Sequence, residues 1–176
     1  VLDVILNEYP SLEEEPDKDG RTCLSFGASI GNYDGVCRLL DRSTKSVYVC
    51  DEDGFFPIHT AAENGHIRIV EEILKRCPDS KHLLNKLGQN VLHIVAKNGD
   101  RWFIETMMIN EDTKHLAVGQ DVDGNTPLHL ATLNWRPRSI THLVSDAKIL
   151  QLRNNNGLTA REMAESMLKP NYIFEE

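Results

Sequence analysis

The chain has 176 residues, 40% of them hydrophobic, and its 27 acidic and 19 basic residues give a formal net charge of −8. That is enough apolar material for a buried core, while the negative charge opposes binding to nucleic acid or an anionic membrane surface and favours a basic or amphiphilic partner. No stretch reaches the roughly 18 apolar residues of a membrane helix and no signal-peptide pattern opens the chain.

The opening residues Val1 to Tyr9 put Leu2, Ile5 and Leu6 on one helical face and stop at Pro10. With nothing before it to pack against, this helix is expected to be the second half of a repeat, with 1–16 the end of that repeat and the acidic connection Glu13-Glu14-Glu15-Pro16. The chain then reads as a piece of something longer. From residue 17 onward one unit recurs around Gly20, Gly54, Gly88, Gly124 and Gly157, at intervals of 34, 34, 36 and 33 residues. Full units are expected at 17–50, 51–84, 85–120 and 121–153, and a partial one at 154–176, all in a single domain 1–176. Repeats of this period bury their apolar faces between neighbours and not in one centre.

Each unit carries the same punctuation. Asp51-Glu52-Asp53-Gly54 is a turn sequence, since glycine tolerates positive φ and aspartate can bond its own backbone. Pro57 and Pro127 suit the first position of a helix, and Thr22, Asn90, Thr126 and Thr159 stand where a cap is wanted. Phe56 cannot cap, so its helix is expected to lean on packing. Gly31, Gly65 and Gly99 end the short first helices. The second helix of the 51–84 unit turns Ile67, Val70, Ile73 and Leu74 inward and Arg68, Glu71, Glu72 and Lys75 outward. The same inward face recurs as Val36, Leu39 and Leu40, and as Ile140, Leu143 and Val144. Asn110 to Lys114 lengthens one connection, which accounts for the 36-residue interval. Trp135-Arg136-Pro137 replaces the usual glycine, so that turn is expected to be built differently, and the last unit has no histidine at the signature position, where Glu162 stands.

His59, His93 and His129 recur with the period, which raises the question of a metal. Layers of packed elements lie about 10 Å apart, too far for three imidazoles to share one zinc ion with bonds of about 2 Å. The histidines therefore read as architecture, and no metal or other cofactor is expected. GxSxG, HExxH, GxxxxGK[ST] and GxGxxG are all missing, so an enzyme is not expected either. Cys23, Cys37, Cys50 and Cys77 show no CxxC spacing and read as free thiols in a reducing compartment.

Asp121 to Ala131 reads Asp-Val-Asp-Gly-Asn-Thr-Pro-Leu-His-Leu-Ala. With its period it resembles the ankyrin repeat, which carries a Thr-Pro-Leu-His-x-Ala signature near every 33 residues. The resemblance implies an all-α solenoid of stacked helix-turn-helix units with β-turn or hairpin tips. It also implies histidines that bond the turn backbone and the Thr hydroxyl, and a concave, partner-binding surface made from tips and first helices. Its variable positions here are Lys18, Asp19, Arg21 and Ser29, then Glu52, Asp53, Phe55, Glu63 and Asn64. The later units add Lys86, Leu87, Gln89, Lys97 and Asn98, and Val122, Asp123, Asn125, Leu133 and Asn134. Phe55, Leu87 and Leu133 are apolar where exposure is expected, as interface anchors are. The tips of the first two units are acidic and the third carries lysines, so a protein or peptide partner with a basic segment is expected at the N-terminal half.

Cys77-Pro78-Asp79-Ser80, Leu87 to His93, Asp121 to Ala131 and Asn156 to Ala160 look like the plant accelerated-cell-death-type ankyrin family. That resemblance implies a cytosolic repeat region followed by a membrane-spanning region, with a role in defence signalling and cell death. No membrane contact is expected from this segment itself. A soluble ankyrin adaptor or inhibitor and the substrate-recruiting region of a ubiquitin ligase are the alternative readings.

Overall fold

The recurring tip is closed by its own first residue. Asp17, Asp51, Asn85, Asp121 and Asn154 each pair their backbone N–H with the carbonyl four residues on, at 2.9–3.0 Å. Asp51 Oδ1 also accepts from Asp53 N at 3.1 Å and Phe55 N at 2.8 Å. Asn85 Oδ1 does the same for Leu87 and Gln89, and Asp121 for Asp123 and Asn125. The central glycines take φ between 71° and 81°, left-handed values at which a Cβ is costly.

The computed structural model describes residues 2–144 and 146–168. Residues 169–176, the end of the expected terminal unit, and Val1 lie outside them. Among the described residues the structure is all-α, without a strand: α1 (Leu2–Glu8), α2 (Cys23–Ser29), α3 (Tyr33–Arg42), α4 (Pro57–Glu63), α5 (Ile67–Arg76), α6 (Val91–Asn98), α7 (Arg101–Ile109), α8 (Pro127–Leu133), α9 (Pro137–Leu143), α10 (Ala147–Gln151) and α11 (Ala160–Leu168). Short 3-10 turns at Lys45–Tyr48, Pro78–His82 and Lys114–Val118 lead from the second helices toward the next tips. The extra residues of the 36-residue interval fall in the loop between α7 and the last of these.

The chain divides within α6 into two compact units, the first ending at Val95 and the second starting at Ala96. In the first, α2 packs on α3 and α4, and α5 on both α3 and α4. Leu24, Val36, Ile58, Val70 and Ile73 fill the interior, and each such side chain removed from water contributes about 1.5–3 kcal/mol. Arg42 fastens the leading segment: it pairs with buried Glu13 at 3.3 Å and donates to Asn7 Oδ1 at 2.7 Å and Leu6 O at 3.0 Å. In the second unit α9 packs on α7 and α8, and α11 on α8, around Phe103, Ile104, Met107, Leu128 and Leu143.

Two expectations about faces and one about a turn need correction. Ile69 is fully buried in α5, whereas Ile67 and Leu74 are only half-buried, because the axis of this helix turns its interior stripe toward Ile69, Val70 and Ile73. Val144 is exposed: α9 stops at Leu143 and leaves it as the cap. The turn at Trp135 is not built differently. Trp135 takes φ 53°, and its N–H bonds Thr132 O at 3.1 Å as Gly65 N bonds Ala62 O at 3.2 Å. Arg136 N to Ala131 O at 2.9 Å repeats His66 N to Ala61 O at 2.8 Å. The turn is the same, with a tryptophan held where the other units use glycine.

That position is strained. A left-handed residue with a Cβ costs about 1–2 kcal/mol, of which the greater unfolded-state freedom of glycine gives back about 0.5–1. Trp135→Gly is expected to stabilise the protein by about 0.5–1 kcal/mol, since the indole is 61% exposed and contributes little packing. Urea unfolding measures it as a higher midpoint at unchanged slope, and Trp135→Ala, which keeps the Cβ, should show no gain.

Candidate functional site

The first-unit tips carry charges that do not all remain available. Arg21 pairs with Asp17 at 3.2 Å and Asp19 at 2.6 Å, and its backbone N–H is the first cause of the lowered Asp17 pKa. The expected acidic first tip is thereby neutralised within itself. The second tip differs: the carboxylates of Glu52 and Asp53 are exposed and make no ion pair among the described residues. Neighbouring tips are laced by Glu52 N to Asp19 O at 3.2 Å, and the Lys86 ammonium donates to Glu52 O.

Between tips and first helices lies a groove of about 650 Å³, bordered by Arg21, Ser29, Asp53, Phe55, Glu63, Asn64, Lys86 and Leu87, all expected from the sequence, together with Asp51 and Thr60, which were not. Thr60 Oγ1 donates to Phe56 O and Asn64 Nδ2 to Thr60 O at 2.9 Å, which fixes this floor. Phe55 is half-buried and meets His59 edge-on, centroids 6.1 Å apart at 80°. Leu87 stands 52% exposed on the opposite rim. Spacing on α4 could have found Thr60, one turn before Asn64 and beside Glu63.

The remaining candidates lie elsewhere. Lys18, Asp19 and Glu52 are exposed on the tips, and Gln89 is buried. In the second unit Val122, Asp123, Lys97 and Leu133 are exposed, and Asn98 and Asn134 are half-buried. Asn125, expected to be open to a partner, is buried and accepts from Asn154 Nδ2 at 3.0 Å. Gln89 and Asn125 close their tips through their own backbone groups, and that geometry draws their side chains inward.

Two of the periodic histidines, His59 and His129, are tied down at both ends. His129 Nε2 lies 3.0 Å from Leu158 O, while Nδ1 receives Thr126 N at 3.2 Å and Thr126 Oγ1 at 2.8 Å. A carbonyl only accepts and an amide N–H only donates, so the ring is neutral with its proton on Nε2. His59 repeats this with Leu83 O at 3.2 Å and Phe56 N at 3.4 Å, so α4 without a capping side chain is capped by its histidine. Asn90 Oδ1 accepts from His93 N at 3.1 Å. Burial pushes the His59 pKa down to about 4, and lowers that of His129. In the last segment Glu162 takes over, accepting from Thr159 N at 2.8 Å while Thr159 Oγ1 accepts from Glu162 N at 3.2 Å, a reciprocal capping box. All four thiols are unpaired.

Residues 58–155 match the family model described as ankyrin repeats (3 copies). The chain is 64% identical over 177 residues to Protein ACCELERATED CELL DEATH 6 of Arabidopsis thaliana, covering 100% of this chain and 26% of that protein. It is 36% identical over 115 residues to the transient receptor potential cation channel subfamily A member 1 of Drosophila melanogaster, covering 64% of this chain and 9% of the channel. To the probable 26S proteasome regulatory subunit p28 of Saccharomyces cerevisiae it is 27% identical over 131 residues, 72% of this chain and 56% of that subunit. The chain thus spans about a quarter of the length of the Arabidopsis relative.

The neutral histidines make stability depend on pH. An unfolded imidazole takes up a proton near pH 6.5, and folded His59 resists it down to about 4. The unfolded state therefore binds more protons in this window, and the contribution is complete above pH 6.5 and lost as pH falls toward 4. Over those units the loss is about 3 kcal/mol. The stability difference between the natural chain and His59→Gln should shrink by about that amount between pH 7 and pH 4, as read from urea unfolding at each pH. A constant difference would mean that His59 is not held neutral.

Proposed function

The chain belongs to the ankyrin-repeat family, and from that membership we propose that it is a non-catalytic protein-interaction module, the cytosolic ankyrin region of a membrane-anchored plant regulator of defence signalling and cell death. Its groove in the first unit receives a basic segment of a protein partner. The repeat bounds given above, and their action as a single domain, belong to the same proposal. The observation that carries the reading is the pairing of two apolar side chains, Phe55 and Leu87, with the carboxylate of Asp53 around one groove, the exposed carboxylate of Glu52 standing on the same tip outside it. Apolar anchors supply most of the energy of such contacts, and unpaired charges at the rim set orientation and rate of encounter.

Similarity to the Arabidopsis protein over the whole chain supports the cell-death role. Among the described residues no helix is long and apolar enough to cross a membrane, so the anchor is assigned to sequence outside this chain. The unpaired thiols fit the reducing cytosol. Relatives named as a cation channel and a proteasome regulatory subunit carry similar repeats, which is why the partner is argued from the groove and not from the repeat.

Affinity capture from plant lysate with the natural chain, with Phe55→Ala/Leu87→Ala and with Glu52→Lys/Asp53→Lys tests the proposal. Partners of the groove should be weakened roughly tenfold or more by the first pair. The second pair should also slow association and flatten its dependence on salt. Partners that survive both changes, with circular dichroism showing the fold intact, would place the binding surface elsewhere.

A further inference from the structure

Wherever one helix-helix turn follows another within a unit, a small hollow opens between them. In the first unit it is lined by Gly31, Tyr33, Gly65, His66, Ile67 and Arg68, among others. In the second unit the corresponding hollow, of about 210 Å³, is lined by Asn98, Gly99, Trp135, Arg136, Pro137 and Arg138. The backbone scaffold is shared. His66 Nε2 lies 3.1 Å from Ser29 O, and Arg136 Nε donates to Lys97 O at 2.9 Å at the corresponding place. Gly99 is needed for this approach, since a Cβ there would stand 2.8 Å from Arg136 Cδ.

The chemistry of the two hollows differs. In the first, the Arg68 guanidinium sits 4.4 Å over the Tyr33 ring and is occupied by a cation-π contact. In the second, the residue corresponding to Tyr33 is Arg101, which donates to His142 Nε2 at 3.1 Å. Neither Arg136 nor Arg138 makes an ion pair among the described residues. Asp100, the nearest carboxylate along the chain, is engaged in capping α7 by accepting from Phe103 N at 3.1 Å. The glycine of the first hollow is replaced by Trp135, strained at φ 53° and 61% exposed. Strain of this kind persists where something other than stability retains the residue.

We propose that this hollow in the second unit is a docking site for a short acidic peptide segment of a protein, in which a carboxylate is held by Arg138 and the free end of the Arg136 guanidinium while an adjacent apolar side chain packs on Trp135 and Pro137. Arginine matches carboxylates in a planar, two-pronged geometry, and tryptophan is enriched among the residues that anchor protein contacts. The occupant is a short segment because the chain carries a net charge of −8. An extended anionic surface or a nucleic acid would meet that charge over its whole length. A few carboxylates within one Debye length, about 8 Å, of two arginines meet chiefly those arginines. The hollow is also of opposite sign to the second tip of the first unit, so it selects a different sequence.

Fluorescence anisotropy with a panel of labelled hexapeptides tests this, each peptide combining two or more Glu or Asp with one Leu, Phe or Tyr. The matching panel with Gln and Asn in place of the acids serves as the control. Acidic members should bind saturably, and more weakly as salt rises, while their amide counterparts do not. Arg138→Gln and Trp135→Gly should each weaken binding roughly tenfold or more, the latter in a chain that is more stable than the natural one, so that misfolding cannot explain the loss. Trp102→Phe, which alters an exposed indole outside the hollow, should leave affinity within about twofold. The proposal is overturned if no acidic member binds at about 1 mM, if the amide panel binds equally, or if Arg138→Gln and Trp135→Gly have no effect. Arg138-dependent flotation with vesicles of phosphatidylserine and phosphatidylcholine, without peptide binding, would overturn it in favour of a lipid surface.

Discussion

The structure depends on one interaction that works in two directions, the histidine that holds its own helix start with Nδ1 and the backbone beyond it with Nε2. At His129 the far carbonyl belongs to Leu158, in the next tip; at His59 it is that of Leu83, two residues before the tip that starts at Asn85. A helix start and the approach to its neighbour are therefore made one object. The bond works only for a neutral ring, because protonating Nδ1 would set a donor against a backbone donor. Burial favours that neutrality, pushing the His59 pKa down to about 4. Packing, protonation state and register of successive segments are thus linked at a single side chain.

The segment around Thr159 shows what the histidine can and cannot be replaced by. Glu162 satisfies the helix start as well as a histidine would, through Thr159, but a carboxylate has no proton to donate onward. It accepts instead from Arg153 at 2.8 Å, a residue of the same segment. Thr159 and Arg153 together hold its pKa below the usual carboxylate range, the Thr159 backbone contributing most. The capping half of the role is kept, without a donor for a second carbonyl.

Much of this was legible in the sequence, because turns and caps are local. Gly54, Gly65, Thr22 and Asn90 each act through atoms within four residues, and their spacing alone places them. What was not legible depends on distances that no spacing carries. Arg21 stands at a variable, partner-facing position, yet its guanidinium is taken up by Asp17 and Asp19. Asn125 looked like a variable tip residue until Asn154, 29 positions away, was found bonded to it. Ile69 and Ile67 differ by about 200° around a helix, and only the position of neighbouring helices decides which is inside. Trp135 misled for another reason: its side chain argues against a left-handed turn, yet the bonds of the surrounding turn outweigh the roughly 1–2 kcal/mol that it costs.

The comparison of Arg136 with His66 explains how such an array can change its surface without losing its stack. Both reach back to a carbonyl, of Lys97 and Ser29 respectively. A carbonyl asks only for a donor of suitable reach, so the fold does not require imidazole there. It is otherwise at His59 and His129, where an acceptor and a donor are needed on opposite edges of one small ring. Where both demands are met by one side chain, as at His59 and His129, that side chain is imidazole, and a position with a one-sided demand is left open to select for charge. That is why the arginines and the strained tryptophan collect at the helix-helix turn, where scaffold and surface make separable demands on the same residues.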